Sequence, residues 1–224
     1  MRYEHITTGT FLSRPNRFIA HVEINGQEEI CHVKNTGRCR ELLLPGVRVV
    51  LSIADNPARK TKYDLIAVWK NGDHLINMDS QSPNAAAAEL LPRLFPGARI
   101  LPEQRCGNAR FDFSVETEEA LGYVEVKGCT LERDGHAFFP DAPTERGVKH
   151  LRELARLARE GVPTAILFLV QMKGVYALSP NDGTDPAFGT ALREAKAAGV
   201  RILCYDCIVT EDSMTADAPI PVEL

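Results

Sequence analysis

Along the first third of the chain, apolar and polar positions alternate in short runs that stop at turn-forming residues. FIAHVEI (18–24), EEICHVK (28–34), VRVVLSI (47–53) and DLIAVWK (64–70) alternate or are rich in β-branched residues, which predicts strands. NGQ, NTGR, PG, DNPARK and NGD separate them with turn chemistry. Closely spaced short strands with no convincing helix between them predict a small β-barrel over residues 1–80. An OB-type barrel fits, and an SH3-like barrel fits the same pattern.

The period then changes. SPNAAAAELLPRLFPG (82–97) predicts a short helix with Asn84 as its N-cap, ending near Pro96-Gly97. ARILPEQ, RFDFSVE and LGYVEVKG predict three strands. TERGVKHLRELARLAREG predicts a long amphipathic helix starting at Thr144, with Val148, Leu151, Leu154 and Ala155 on its apolar face and Gly161-Val-Pro163 as its stop. TAILFLVQM and GVYALSP predict strands, PAFGTALREAKAAG a helix and VRILCYD a last strand. The order α-β-β-β-α-β-β-α-β describes an α/β (α+β) domain with a mixed sheet over residues 81–224, joined to the barrel near DSQSPN (79–84).

Within that domain RFDFSVETEEALGYVEVKG (110–128) reads as a β-hairpin. With its turn at Glu118-Glu119, antiparallel pairing places 116 opposite 121 and 112 opposite 125. Asp112 and Glu125 then become cross-strand neighbours, and Lys127 shares their face by the two-residue period. Phe111, Phe113, Val124 and Val126 form the apolar face behind them. Two opposed carboxylates repel unless a shared proton, a lysine or a divalent cation compensates. Mg²⁺ (or Mn²⁺) accepts oxygen ligands and keeps several waters, so two carboxylates and a backbone carbonyl suit it. A lysine beside such a site could orient water or stabilise charge on a phosphate, which is the chemistry of phosphodiester hydrolysis. The same alternation also describes a solvent-exposed strand face with ordinary charges.

Around the hairpin, Glu89, Gln104, Asp141, Thr144, Arg146 and His150 form a second tier of candidates. Thr144 to His150 open a basic helix, and a sheet face beside a helix N-terminus is a sensible place for a phosphate. Composition adds little of its own. The formal charge is −4, with 11 Lys/Arg and 9 Asp/Glu in residues 1–80 against 15 and 21 in 81–224. An acidic whole argues against a generic DNA coat but allows a basic patch on the barrel. Arg14, Arg17, Lys34, Arg38, Arg40, Arg59, Lys60 and Lys62 cluster at barrel turns, where an OB module holds a nucleic-acid backbone. The barrel offers few rings for stacking. The six cysteines are too scattered for a secreted disulfide framework, and CYDC (204–207) reads as two reduced thiols. With no apolar run near membrane-spanning length and no signal-like N-terminus, the expected location is cytoplasmic.

An acid at the end of one strand and acid-x-Lys in the next, inside α-β-β-β-α-β, resembles the PD-(D/E)XK nuclease core. Here it stands as Phe111-Asp112 with Glu125-Val126-Lys127; the motif's proline is absent, and Pro140-Asp141 follows the Glu-x-Lys instead of preceding it. Glu89 matches a helix acid that some members use as an extra ligand. Over nearly its whole length the chain is similar to the sugar fermentation stimulation protein A family. The similarity lies in RPNRF (14–18), CHVKNTGRCRELLLPG (31–46), KTKYDL (60–65), PN (83–84), RFDF (110–113), VEVKGCTL (124–131) and FFPDAPTERGVKHLREL (138–154). The resemblance implies an N-terminal OB-like barrel and a C-terminal nuclease-like domain. It also implies DNA binding without strong sequence preference and a regulatory role in sugar (maltose) metabolism.

The leading expectation is therefore a DNA-binding protein with a divalent-metal site at Asp112 and Glu125, and with Asp112, Glu125 and Lys127 as the catalytic set of a nuclease. The partner is DNA, double- or single-stranded, with a homodimer open and no membrane. Two rivals remain: a DNA-binding regulator that performs no chemistry, and a barrel for another ligand beside acids that are structural.

Overall fold

The computed structural model describes residues 1–224 except Thr36, Pro57 and Asn108. The turn expected at NTGR therefore falls partly outside the described residues. Six strands form the N-terminal unit: β1 (Ile6–Asn16), β2 (Ile19–Ile24), β3 (Gln27–Val33), β4 (Arg48–Ile53), β5 (Tyr63–Lys70) and β6 (His74–Asn77). Their order is β3-β2-β1-β4-β5-β6, and a parallel β3–β5 pairing closes the first five into a barrel. The four strands read from alternation are present. β1 and β6 were not anticipated. β1 carries Gly9 and Pro15 and pairs through register shifts between Phe11 and Ser13 and between Ser13 and Asn16. Such bulges let one long strand bend around a small barrel, and they blur the two-residue period that would reveal it.

The second unit contains α1 (Ser82–Leu94), β7 (Arg99–Cys106), β8 (Ala109–Glu116), β9 (Leu121–Cys129), β10 (Leu131–Arg133), β11 (His136–Phe139), α2 (Glu145–Arg159), β12 (Thr164–Val170), β13 (Ala177–Pro180), α3 (Pro186–Ala197), β14 (Arg201–Thr210) and β15 (Ser213–Pro219). The main sheet runs β15-β14-β12-β9-β8-β7, parallel across β14-β12-β9 and antiparallel at both margins. A small sheet, β10-β11-β13, sits beside it. β12 is buried at every position, as a central parallel strand covered on both faces must be. On one face lies α1, with Ala86, Ala87, Leu90 and Leu91 packed against Phe113, Val115, Val124, Val126 and Leu167. α2 and α3 cover the other, with Leu151, Leu154 and Leu192 against Phe111, Tyr123, Ile166 and Phe168. Cys204 belongs to the α2–α3 side and Cys207 to the α1 side, so the CYDC thiols point to opposite faces of β14. All six cysteines are free, and burial raises both of these thiols.

The segment joining the units is a hydrogen-bonded knot. Gln171, buried just after β12, donates through Nε2 to the Asn77 carbonyl (3.1 Å) and Oδ1 (3.0 Å), the Asp79 carbonyl (3.2 Å) and Ser82 Oγ (3.2 Å). Ser82 Oγ donates in turn to Asn77 Oδ1 and the Asp79 carbonyl, both at 2.8 Å. The chain start crosses over as well, with Tyr3 N donating to the Asp212 carbonyl at 2.7 Å. Among the described residues no helix is long and apolar enough to cross a membrane.

Candidate functional site

The hairpin ladder has the register expected from its turn: Glu116 faces Leu121, Val115 Gly122, Ser114 Tyr123 and Phe113 Val124. It then stops one pair short of Asp112 and Glu125. There the Asp112 carboxylate takes over a backbone role, its Oδ2 accepting from Val126 N at 2.7 Å. Opposite Asp112 on its other side, β7 skips Glu103, which has a φ of 53° between the pairs Pro102–Phe113 and Gln104–Phe111. β8 therefore turns as it passes Asp112. Phe113 faces α1 with Val124 and Val126, whereas Phe111 packs on the other side against Tyr123, ring centroids 5.3 Å apart. The expected single apolar face of Phe111, Phe113, Val124 and Val126 is thus corrected. Phe111 leaves it because the strand forks, and the fork brings the acids together in place of a flat cross-strand pair.

Glu125 is only 2% exposed. Its Oε1 accepts from Lys127 Nζ at 2.5 Å and also meets His150 Nδ1 on α2. Its Oε2 is buried with no partner. Burial alone would raise this carboxyl; His150 and Lys127 more than offset that and hold it low. Asp112 is shifted the other way. Burial first and the Glu125 charge second push it up, against the Val126 amide, Asn84 and Lys127. The two neighbouring carboxyls are thus driven apart in acidity.

α1 completes the site. Asn84 was expected to cap this helix, but the N-cap is Gln81, with Pro83 in the first turn and no side-chain cap. Free of that role, Asn84 Nδ2 donates to Asp112 Oδ1 at 3.0 Å. Gly128 lets the first turn come this close, since a Cβ there would lie 2.5 Å from Pro83 Cγ and overlap Gln171 Oε1. Asp112 opens on a groove of about 550 Å³ shared with Asn84, Ala88, Pro102 and Glu103. Past Asn84 lies a polar cavity of about 130 Å³, lined in part by Asn35, Ser80, Val126, Thr130, Phe138 and Asp141.

The other candidates divide. His150, a candidate from its place one turn into α2, joins the acids at Glu125. Asp141 lines the cavity beside the barrel's Asn35. Thr144 caps α2, accepting from Gly147 N at 3.0 Å, while its own N donates to Asp185 at 2.8 Å. Arg146 is exposed in the first turn of α2. Gln104 donates to the Pro102 carbonyl at 2.7 Å. Glu89 is bound at 2.8 Å to the Met1 ammonium. On the barrel, Arg14 is held by four carbonyls, those of Arg17, Asn35, Gly37 and Arg38, at 2.7–2.9 Å. Lys34 bridges Asp79 (3.2 Å) and Asp64 (3.5 Å). Arg17, Arg38 and Arg40 stay exposed along a groove of about 560 Å³. Lys60 and Lys62 are exposed on the loop before β5.

A five-stranded OB barrel followed by a mixed-sheet unit with an acid-acid-Lys fork defines the class, an OB module joined to an α/β fold. Residues 12–78 match the SfsA N-terminal OB domain, and residues 81–213 match the sugar fermentation stimulation protein RE domain. Sugar fermentation stimulation protein homologs from Desulfitobacterium hafniense (strain Y51) and Clostridium beijerinckii are 56% and 52% identical. The first covers 100% of this chain and 99% of its own, the second 96% of both. A solved structure of Pyrococcus furiosus SfsA in complex with Ca²⁺ aligns with a TM-score of 0.89 at 30% identity, over 100% of this chain and 98% of that one. The chain belongs to the sugar fermentation stimulation protein family.

Proposed function

We propose that this protein binds DNA and hydrolyses phosphodiester bonds at a divalent-cation site formed by Asp112 and Glu125. The observation that carries the reading is the buried, partnerless Oε2 of Glu125 beside a carboxyl that burial and a like charge make hard to ionise. An unsatisfied buried oxygen is costly, and a cation removes the cost. The donor set fits a hard ion. Among the described residues no group of three or more His, Cys, Asp or Glu side chains is placed to hold a metal ion by itself, so backbone carbonyl and water would have to complete the shell around Asp112 and Glu125, the habit of Mg²⁺ or Mn²⁺. That the Pyrococcus furiosus relative was solved with Ca²⁺, another oxygen-seeking ion, supports the reading.

A bound divalent ion supplies charge stabilisation and a more acidic water. The chain's own residues do the rest. His150 and Lys127 fix Oε1 and leave Oε2 without a partner. Asn84 and the Val126 amide hold Asp112. The Lys127 ammonium stands where a phosphate's charge would develop. Arg17, Arg38 and Arg40 grip backbone phosphates on the barrel, which adjoins the site through Asn35. Six free cysteines fit a reducing, cytoplasmic setting. The second reading keeps the DNA binding and drops the chemistry, making the protein a regulator of sugar (maltose) metabolism genes. The family name favours it.

Plasmid and single-stranded DNA incubated with Mg²⁺ or Mn²⁺ decide between them. The wild type should cut and Asp112→Ala should not. No cutting of either substrate, or equal cutting by the mutant, removes the hydrolytic reading and leaves the regulator.

A further inference from the structure

On the small sheet, residues outside the acid site build a row of rings. His136 and Phe138 share one face of β11 and stack with centroids 4.7 Å apart at 19°. Tyr176 stands edge-on to His136 at 5.3 Å and 85°. The exposed Arg133 lies over the Phe138 ring at 5.4 Å. Ser179 Oγ fixes His136 Nε2 at 2.9 Å. Tyr176 is 60% exposed. One flank of its ring rests on Gly135, where a Cβ would come within 3.2 Å of the ring. The ring is thus held upright with one flank against backbone and much of its surface open to solvent. At the other end of the row, Phe138 lines the polar cavity with Asn84, Val126 and Asp141. The row therefore runs from open solvent to a cavity whose Asn84 and Val126 are hydrogen-bonded to Asp112.

We propose that Tyr176, His136 and Phe138 form a stacking platform for single-stranded DNA that leads its bases toward Asp112 and Glu125. The proposal rests on the DNA-binding reading above and narrows its substrate to a single strand. Three features select that occupant. The open ring of Tyr176, backed by the His136–Phe138 stack, accepts a base whatever its identity. The Arg133 cation beside them suits the backbone phosphates between bases. Bases in a duplex are already stacked and offer no free face unless flipped, at a cost of a few kcal/mol. The barrel is a poorer candidate for stacking, because its most exposed ring, Phe18, has no ring partner among the described residues.

The test is fluorescence anisotropy in EDTA with a labelled oligo-dT strand, an abasic strand of equal length and a hairpin duplex. Tyr176→Ala should weaken oligo-dT binding about tenfold, leave duplex binding unchanged, and be rescued by Tyr176→Trp. His136→Ala should weaken it in the same sense. The platform is overturned if both alanine variants bind oligo-dT as the wild type does, or if the abasic strand binds as tightly as oligo-dT. Neither strand is cut in EDTA, so the outcome is separate from hydrolysis. Normal ring-dependent binding without cleavage in Mg²⁺ overturns only the hydrolytic reading. A wild type that binds neither strand nor duplex overturns the DNA reading and the platform together.

Discussion

Asp64 and Asp79 in and beside the barrel are as buried as Glu125, yet the two regions treat their acids differently. Every oxygen of the first pair is answered. Asp64 takes both Arg59 nitrogens (2.6 and 2.9 Å), His32 (3.1 Å) and Lys34 (3.5 Å). Asp79 takes Lys34 (3.2 Å), the Tyr3 hydroxyl (3.3 Å) and Gln81 N (2.9 Å). In the second pair, Lys127 and His150 crowd one oxygen of Glu125 and neither reaches the other. Burial of an acid is therefore no mark of a site. What separates the two regions is whether the coordination is complete.

The sharpest way to break this contrast is Asp64→Asn. It should cost about 3 kcal/mol at pH 7, read by urea denaturation, because it leaves the Arg59 and Lys34 cations around a neutral amide. The pH dependence has a fixed sign. Burial would raise the Asp64 carboxyl, but Arg59 and Lys34 hold it below its ordinary value. Its contribution is then complete above about pH 4 and lost as pH falls through the lowered folded value. Wild-type and mutant stabilities should converge on acidification; parallel curves down to pH 3 would mean that the ion pairs are not the source.

Next in size is the response to metal. Mg²⁺ at a hundred times its dissociation constant should stabilise the wild type by about 2.7 kcal/mol, seen as a rise in Tm, and Glu125→Gln should abolish the rise. Smaller again is Asp112→Asn in EDTA. It should fall within about 1 kcal/mol of the wild type or exceed it, because it removes a carboxylate that burial and Glu125 disfavour. A large loss would place Asp112 with Asp64 as architecture. The smallest effect is expected at the barrel groove. Arg38→Ala should lower the slope of log affinity for DNA against log salt by about one, with little change in Tm.

Much of this was legible in the sequence. The hairpin register followed from its turn and its two apolar alternations, and Thr144 announced α2 through its capping chemistry. The fork at Asp112 was not legible, because it arises where a side chain substitutes for a ladder bond and β7 leaves the ladder at Glu103, in a positive-φ conformation. Neither event has a local signature. The fate of the basic residues was hidden for a related reason. Arg14 and Arg38 lie in the same kind of turn, but only the folded loop shows that four carbonyls occupy Arg14. Glu89 was expected near the acids from its helix, yet it meets a terminal ammonium that no spacing rule connects to it. The row escaped notice because β11 is only four residues long and the third ring comes from the separate loop before β13.

The knot around Gln171 has a consequence for how the molecule comes apart. The two family matches divide the chain at residues 78 and 81, but a single apolar cluster runs from Phe11, Val22 and Leu65 of the barrel to Leu151, Phe168 and Leu192 of the second unit. Units of descent and units of cooperativity therefore do not coincide. Opening the seam would strip the Asn77, Asp79 and Ser82 groups of their bonds and wet one continuous interior, so the barrel and its neighbour should lose structure together as a single thermodynamic body.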